Sequence, residues 1–495
     1  MAKAQYSAGL HFIVRTSDQA PNKEDRRAVM SHAAKRRWKS RKTPKLHSWI
    51  DPERSLGDVE KHEESLAPSV LPMLGLNHFG GDLNGTPLPS GIEPAMVQDL
   101  VKLIELDKNG VYPYEVCLRV HPVQRGWFAY MISDICCIHS MMFSVRAFVD
   151  NISSLEQISK AAAFHYDQTL RHLQARINVF EHTAWDPALS DCTIMVILNL
   201  AQAAEITGDL EAARNHVNGL LRIVSLRGGL RSLHAHNNLQ VKVCRADLGL
   251  AMRFGTLPRL FQDDIEWSCF IADRGLIRCQ HGDFETQVRT FIDGLDSRLR
   301  DCWKDAHAFS CLSNLTYQTT RKLSPGTYCE MMISILYRLM HLSMKQDTLQ
   351  EAVRLGLQAF CTTLFMTRHY LDKPYEQLVE KFRTALYGVF HVSAIVVPDL
   401  IMLWFMMLYR IVAYKEPLAS DWESVQLEQA VLLTGVTTWP HAHSMLKSVM
   451  WVGFVHDSPG VRVFEAARIR LEKPKEIDGQ KNEDRRHSGA NTELG

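Results

Sequence analysis

From Met96 onward, large apolar residues recur at steps of three and four, and this spacing narrows the possible folds more than any other feature of the chain. Val97, Leu100, Val101 and Ile104 fall on one helical face. Cys192–Ile206 (CTIMVILNLAQAAEI) is apolar nearly all round, which predicts a helix at the centre of the body. Leu210, Ala213, Val217, Leu220, Leu221 and Val224 make a one-sided stripe, with Asp209 available as the cap and Gly228-Gly229 as the stop, so the two segments predict a helical hairpin. Val241, Cys244, Leu248 and Ala251 form a third stripe after the polar break HAHNN, and helical patterns run from Tyr328 to Arg368 and from Pro374 to Tyr414. No stretch combines strict alternation with hairpin turns, and no period of about 34–45 residues recurs. The expected fold class is all-α, a large irregular helical bundle of packed helix pairs.

A chain of 495 residues with 46% hydrophobic and 22% charged residues is long enough to bury a substantial core and has the composition of a globular protein. Its eleven cysteines, scattered from Cys117 to Cys361, form no small-domain disulfide framework and fit a reducing compartment. The opening MAKAQYSAGLHFIV makes a poor secretory signal. Ala394–Tyr414 has the length of a membrane span but contains Pro398, Asp399 and Arg410; its uninterrupted part, Leu400–Tyr409, suits a buried core helix, and no membrane association is expected.

The net charge of +1 conceals a division along the chain. Residues 1–50 hold twelve of the 56 Lys/Arg and three of the 55 Asp/Glu, a balance of +9; the remaining 44 and 52 leave −8 for residues 51–495. The reading is therefore a basic N-terminal arm over 1–50, helical from about 22 to 40, then a linker over 51–95 rich in Pro and Gly. The helical body spans 96–471. The tail 472–495, almost without apolar residues, is expected to be disordered.

Two regions carry a family resemblance. The segment HFIVRTSDQAPNKEDRRAVMSHAAKRRWKSRK resembles the opening of many filamentous-fungal proteins, in which an F-V piece leads into an R-x-V-x-x-H-x-x-x-R-R helix; the matching residues are Phe12, Val14, Arg27, Val29, His32, Arg36 and Arg37. The segment AARNHVNGLLRIVSLRGGLRSL followed by QVKVCRADLGLAMRFGTLP is similar to a pattern of the fungal-specific transcription-factor domain. Its matching residues are Ala212, His216, Gly219, Leu220, Ile223, Val224, Arg227, Gly228, Gly229, Leu230, Lys242, Arg245, Asp247 and Ala251. Members that read DNA directly do so through six cysteines holding two zinc ions, whereas this chain has no cysteine before Cys117. GGDLNGTPLP also replaces an Asp-Pro-Phe sequence frequent in relatives. The resemblance implies a helical regulatory domain of a fungal transcription-factor-like protein without the binuclear zinc cluster, acting in the nucleus with the transcription machinery or another regulator. Family members often accompany metabolic gene clusters, which is a role of the kind implied here.

The residues themselves leave several readings of the arm. Arg26, Arg27, Lys35, Arg36, Arg37, Lys39, Arg41 and Lys42 suit a nuclear import signal, contact with nucleic-acid phosphates, or a solvated charged helix. Trp38 can stack on a base or pack on protein. Among the matched residues, His216 is expected to pack or hydrogen-bond between helices, Arg227 to satisfy the carbonyls left open by the Gly228-Gly229 stop, and Lys242, Arg245 and Asp247 to form interhelical ion pairs. Cys136, Cys137 and His139 cluster on one helix, and His441 with His443 forms a second group. Neither shows four zinc ligands, so both are read as core residues and no metal is expected.

No G-x-S-x-G, P-loop, dinucleotide-binding glycine fingerprint or H-E-x-x-H is present, so no enzyme activity and no cofactor are expected. The functional expectation is a transcription regulator whose body binds a partner protein or a small effector. A helical scaffold is the alternative, and a helical enzyme with a dispersed site comes third.

Overall fold

The computed structural model describes residues 88–92, 96–97, 99–100, 132–153, 157–178, 187–233, 237–263, 265–277, 285–366, 375–391, 397–413 and 422–472. The basic arm with all eight of its candidate residues, most of the linker and the tail from residue 473 lie outside them. The described residues contain fourteen α-helices and no β-strand, so the chain is all-α as its periodicity predicts.

In chain order these are α1 (Ile135–Ile152), α2 (Lys160–Asn178), α3 (Asp191–Ile206), α4 (Leu210–Leu226), α5 (Asn237–Phe254), α6 (Glu285–Asp293) and α7 (Ser297–Gln318). There follow α8 (Pro325–His341), α9 (Thr348–Phe365), α10 (Glu376–His391), α11 (Asp399–Ala413), α12 (Trp422–Thr434), α13 (Trp439–Val449) and α14 (Gly453–Glu472). The chain divides into two compact units. The first comprises Met1–Glu266, Thr320–His341 and Leu364–Gln377; the second comprises Trp267–Thr319, Leu342–Thr363 and Leu378–Gly495.

In the first unit α1 lies along both α2 and α3, α3 pairs with α4, and α5 packs against α3, α4 and α8. The central position of α3 follows from its composition: thirteen of its residues, from Cys192 to Ile206, are buried. Asp209 caps α4 by accepting the Ala212 N–H at 3.1 Å, and Ala213, Val217, Leu220, Leu221 and Val224 face inward as their stripe requires. Buried Val97 and Leu100 join the same core.

In the second unit α11 packs against α12, α13 and α14. Leu400, Ile401 and Leu403–Arg410 are buried, so the segment with the composition of a membrane span is a core helix. No helix among the described residues is long and apolar enough to cross a membrane. Trp303, Trp404, Phe360 and Phe405 build the centre, with Trp303 and Trp404 rings 5.4 Å apart.

The link between α13 and α14 is buried yet non-helical, with Met450, Trp451 and Val452, like Val449 at the end of α13, at most 1% exposed. A buried link must satisfy its backbone polar groups internally; Met450 N–H and Val452 O pair with backbone, and side chains serve most of the rest. Trp404 Nε1 donates to Met450 O at 2.7 Å, Asn314 Nδ2 donates to Trp451 O at 2.7 Å, and Asn314 Oδ1 accepts Gly453 N–H at 2.9 Å. Ser310 Oγ accepts Trp451 N–H and donates to Trp451 O, both at 3.0 Å. His307 Nδ1 lies 2.7 Å from Val449 O.

Candidate functional site

The residues matched to the family pattern lie along α4, its Gly228-Gly229 stop and α5, and the structure corrects two of their expected roles. The carbonyls at the end of α4 are closed by backbone: Arg227 N–H reaches Ile223 O at 3.0 Å, Gly228 N–H reaches Ser225 O at 3.1 Å, and Gly229 N–H reaches Val224 O at 2.8 Å. Gly228 and Gly229 adopt φ of 105° and 84°, a left-handed turn that brings their N–H groups back over the helix end. The Arg227 side chain is thereby released from that duty. Its guanidinium binds Asp191 in the first turn of α3 and donates to Leu189 O and Ser232 O, tying the start of α3 to the chain beyond α4.

Asp247 likewise has a different task from the expected ion pair. Its carboxylate, 1% exposed as a residue, accepts the backbone N–H groups of Arg259 at 3.0 Å and Leu260 at 3.0 Å, and the Tyr337 hydroxyl at 2.9 Å. It pins the loop that follows α5, and Arg259 adds a bond to Asn218 on α4. The physical reason is position: Asp247 sits on the face of α5 that receives the returning loop, where unpaired backbone donors require an acceptor. At Phe261 in this loop φ is 54°, and its ring meets Tyr337 edge-on at 4.9 Å. Arg245 is buried on the same helix, and Lys242 is half-buried. His216 packs in α4 with its Nδ1 shut away from solvent and without a hydrogen-bond partner; burial pulls its pKa down to about 4.

A denser chemical cluster lies elsewhere in the first unit. Asp134 caps α1 by accepting Cys137 N–H at 2.9 Å, which sets Cys137 in the first turn. Ser190 caps α3 by accepting Thr193 N–H at 3.2 Å and places Cys192 in its first turn. The two helix starts are adjacent: Cys137 Sγ donates to Cys192 O at 3.3 Å, and one ligand atom each from Asp134, Cys137 and Cys192 all lie within 4.8 Å of one another. Arg176 from α2 braces both, with Nη2 at 2.6 Å from each Asp134 oxygen and Nη1 at 3.4 Å from Thr193 Oγ1. Burial pushes the Cys136 thiol up to about 12 and raises Cys137 as well.

Beside this group stand three histidines. His139 on α1 and His165 on α2 meet through their Nδ1 atoms at 2.9 Å, so one N–H donates and the other nitrogen accepts; His139 stacks on His172 with ring centres 6.0 Å apart. Desolvation lowers all three, His165 to about 4. Cys136 faces α2, its thiol 3.6 Å from Thr169 O. The sequence cluster Cys136, Cys137 and His139 thus acquires Cys192, His165, His172 and Arg176 from other helices. Asp134 completes it three residues before Cys137. The signal for this was the repeated placement of a cysteine just after a capping residue, Asp134 and Ser190. The second sequence cluster stays small: His443 Nε2 is 3.2 Å from Asp457 Oδ1, and His441 is exposed on α13.

Fold and site together define the class, an all-α protein of two helical units with a buried sulfur, imidazole and carboxylate cluster at the meeting of α1, α2 and α3. Comparison with protein-family models, with curated proteins and with solved structures finds no match to this chain.

Proposed function

We propose that the chain is a nuclear regulator of transcription without enzymatic activity of its own, in which a cationic arm accompanies a helical regulatory body that binds a partner protein or a small effector. The observation that carries this reading is the division of charge, +9 over residues 1–50 against −8 over the rest. A cationic arm containing Lys35, Arg36, Arg37, Lys39, Arg41 and Lys42 fits import and phosphate contact, while the acidic remainder is unsuited to lie along DNA. The resemblance of residues 212–258 to the fungal-specific transcription-factor domain supports the same reading.

Contact through the arm alone would be sensitive to salt and weakly selective, because phosphate contacts carry little sequence information. The test compares the full chain with its Arg36→Ala/Arg37→Ala variant, in nuclear accumulation and in duplex-DNA binding at two salt concentrations. The variant should lose accumulation, and any DNA binding should weaken with a shallower salt dependence. A tagged chain that remains cytoplasmic with or without residues 35–42 overturns the reading.

One observation favours a helical scaffold as the second reading. Val425, Leu432 and Leu433 of α12 are 56%, 64% and 48% exposed, an apolar face suited to another helix.

A further inference from the structure

We propose that Asp134, Cys137 and Cys192 bind a divalent transition-metal ion of zinc-like character, held between the starts of α1 and α3. This inference is independent of the transcription reading. Two thiols and a carboxylate converge from two helices, with ligand atoms inside 4.8 Å of one another. A tetrahedral zinc site with bonds of about 2.3 Å to sulfur and about 2.1 Å to oxygen places its ligand atoms roughly 3.5–3.8 Å apart. Closing on the ion therefore needs a contraction of roughly 1–1.3 Å at most, within reach of χ1 adjustments on two first-turn cysteines.

Charge favours a divalent ion. Two thiolates and one carboxylate carry three negative charges, which the ion and Arg176 balance together. The positive ends of α1 and α3 point at the same space and stabilise the negative charge on the two first-turn thiolates, not the ion itself. Arg176 also fixes the geometry, since its guanidinium holds both Asp134 oxygens and reaches Thr193 in the first turn of α3. Ligand chemistry selects among metals: a pair of thiolates favours zinc and its neighbours over magnesium or calcium, and the carboxylate disfavours copper(I). The three protein ligands leave a fourth position for water.

Binding replaces two S–H bonds by two metal–sulfur bonds and releases two protons to solvent, with no change in oxidation state. Affinity should therefore rise with pH, by up to about a hundredfold per unit while both thiols remain protonated.

Cobalt(II) is the probe. The full chain, kept reduced with a non-thiol reductant and stripped with a chelator, is titrated with cobalt and then with zinc. The expected result is a thiolate-to-cobalt charge-transfer absorption saturating at one cobalt per chain and abolished by zinc. Cys137→Ser and Cys192→Ser should each weaken cobalt binding by at least about tenfold and diminish the band, since removing even an outer partner of a metal ligand costs about that much. Asp134→Asn should weaken binding while keeping a two-thiolate band, and Cys361→Ser, on α9, should change nothing. Absence of the band in the wild-type chain, or an undiminished band in the Cys137→Ser/Cys192→Ser double variant, overturns the site. Circular dichroism reports whether each variant folds. Should the serine variants not fold, X-ray absorption on the zinc-loaded wild-type chain decides: two sulfur ligands per zinc support the site, whereas four or none overturn it.

Discussion

His456 Nδ1 accepts the Val452 N–H at 3.1 Å, and its Nε2 lies 2.7 Å from Thr363 Oγ1. The acceptor role at Nδ1 places the proton of the neutral ring on Nε2, which donates to the threonine. A second proton on Nδ1 would face the Val452 N–H donor to donor, in a site where the ring is fully buried.

Acid should therefore destabilise the fold through this histidine. Burial lowers its pKa from 6.5 to about 3. Between those values the unfolded chain binds the proton and the folded chain does not, so stability is complete above pH 6.5 and declines as pH falls toward 3. His216, lowered to about 4, acts in the same direction. Thermal unfolding of the wild-type chain from pH 7.5 to pH 4 should show a falling Tm, and His456→Asn, which keeps an acceptor near Nδ1 but cannot titrate, should flatten that fall. A slope unchanged by the substitution counts against the assignment.

Gly460→Ala should destabilise although alanine is the better helix former. A Cβ at Gly460 would stand 2.6 Å from Trp451 Cζ2 and 2.8 Å from Trp439 Cη2, inside two indole rings that cannot both withdraw. Overpacking of this kind costs about 1–3 kcal/mol, against a helix-propensity gain of about 1 kcal/mol. Chemical denaturation should give a net loss.

Asp247→Ala should loosen the loop after α5. It removes the acceptor of two backbone N–H groups and of the Tyr337 hydroxyl. Stranding them should cost about 3 kcal/mol, since hydrogen bonds to a charged group contribute about 1.5–3 kcal/mol each and the loop can partly rehydrate. Limited proteolysis near Arg259 should accelerate. Tyr337→Phe, which leaves both backbone bonds in place, should cost about 1.5 kcal/mol.

Gly229→Ala should cost about 1–2 kcal/mol, because φ of 84° lies in the left-handed region where a Cβ meets the following carbonyl. No neighbour crowds the position, so the loss is one of backbone conformation alone. Calorimetry of this variant isolates it.

Local pattern made some of this architecture readable and concealed the rest. The stripe of α4, its Asp209 cap and its glycine stop were legible because each acts within one turn of the chain. The stripes of α7 and α14 were not. Along α7 the buried face carries Asp305, Ser310, Ser313 and Thr316, polar residues kept inside by bonds to backbone. Asp305, for instance, accepts the N–H groups of Phe270, Ile271 and Ala272. Within α14, Pro459 and Gly460 read as breakers, yet the glycine is required by the two tryptophans beside it. The cluster around Cys137 was half visible: Cys136, Cys137 and His139 adjoin in sequence, whereas Cys192 is brought in by the pairing of α1 with α3, which no local pattern specifies.

The sealed link between α13 and α14 has a consequence for solvent exchange. Trp451 and Gly453 have their amide protons held by Ser310 and Asn314 on α7, so freeing them requires α7 to part from the link, whereas the Val452 amide is held locally by His456 at the start of α14. In deuterated water the Trp451 and Gly453 amides should outlast those in the last turns of α7 and α13, making the join between two helices one of the slowest clocks in its unit.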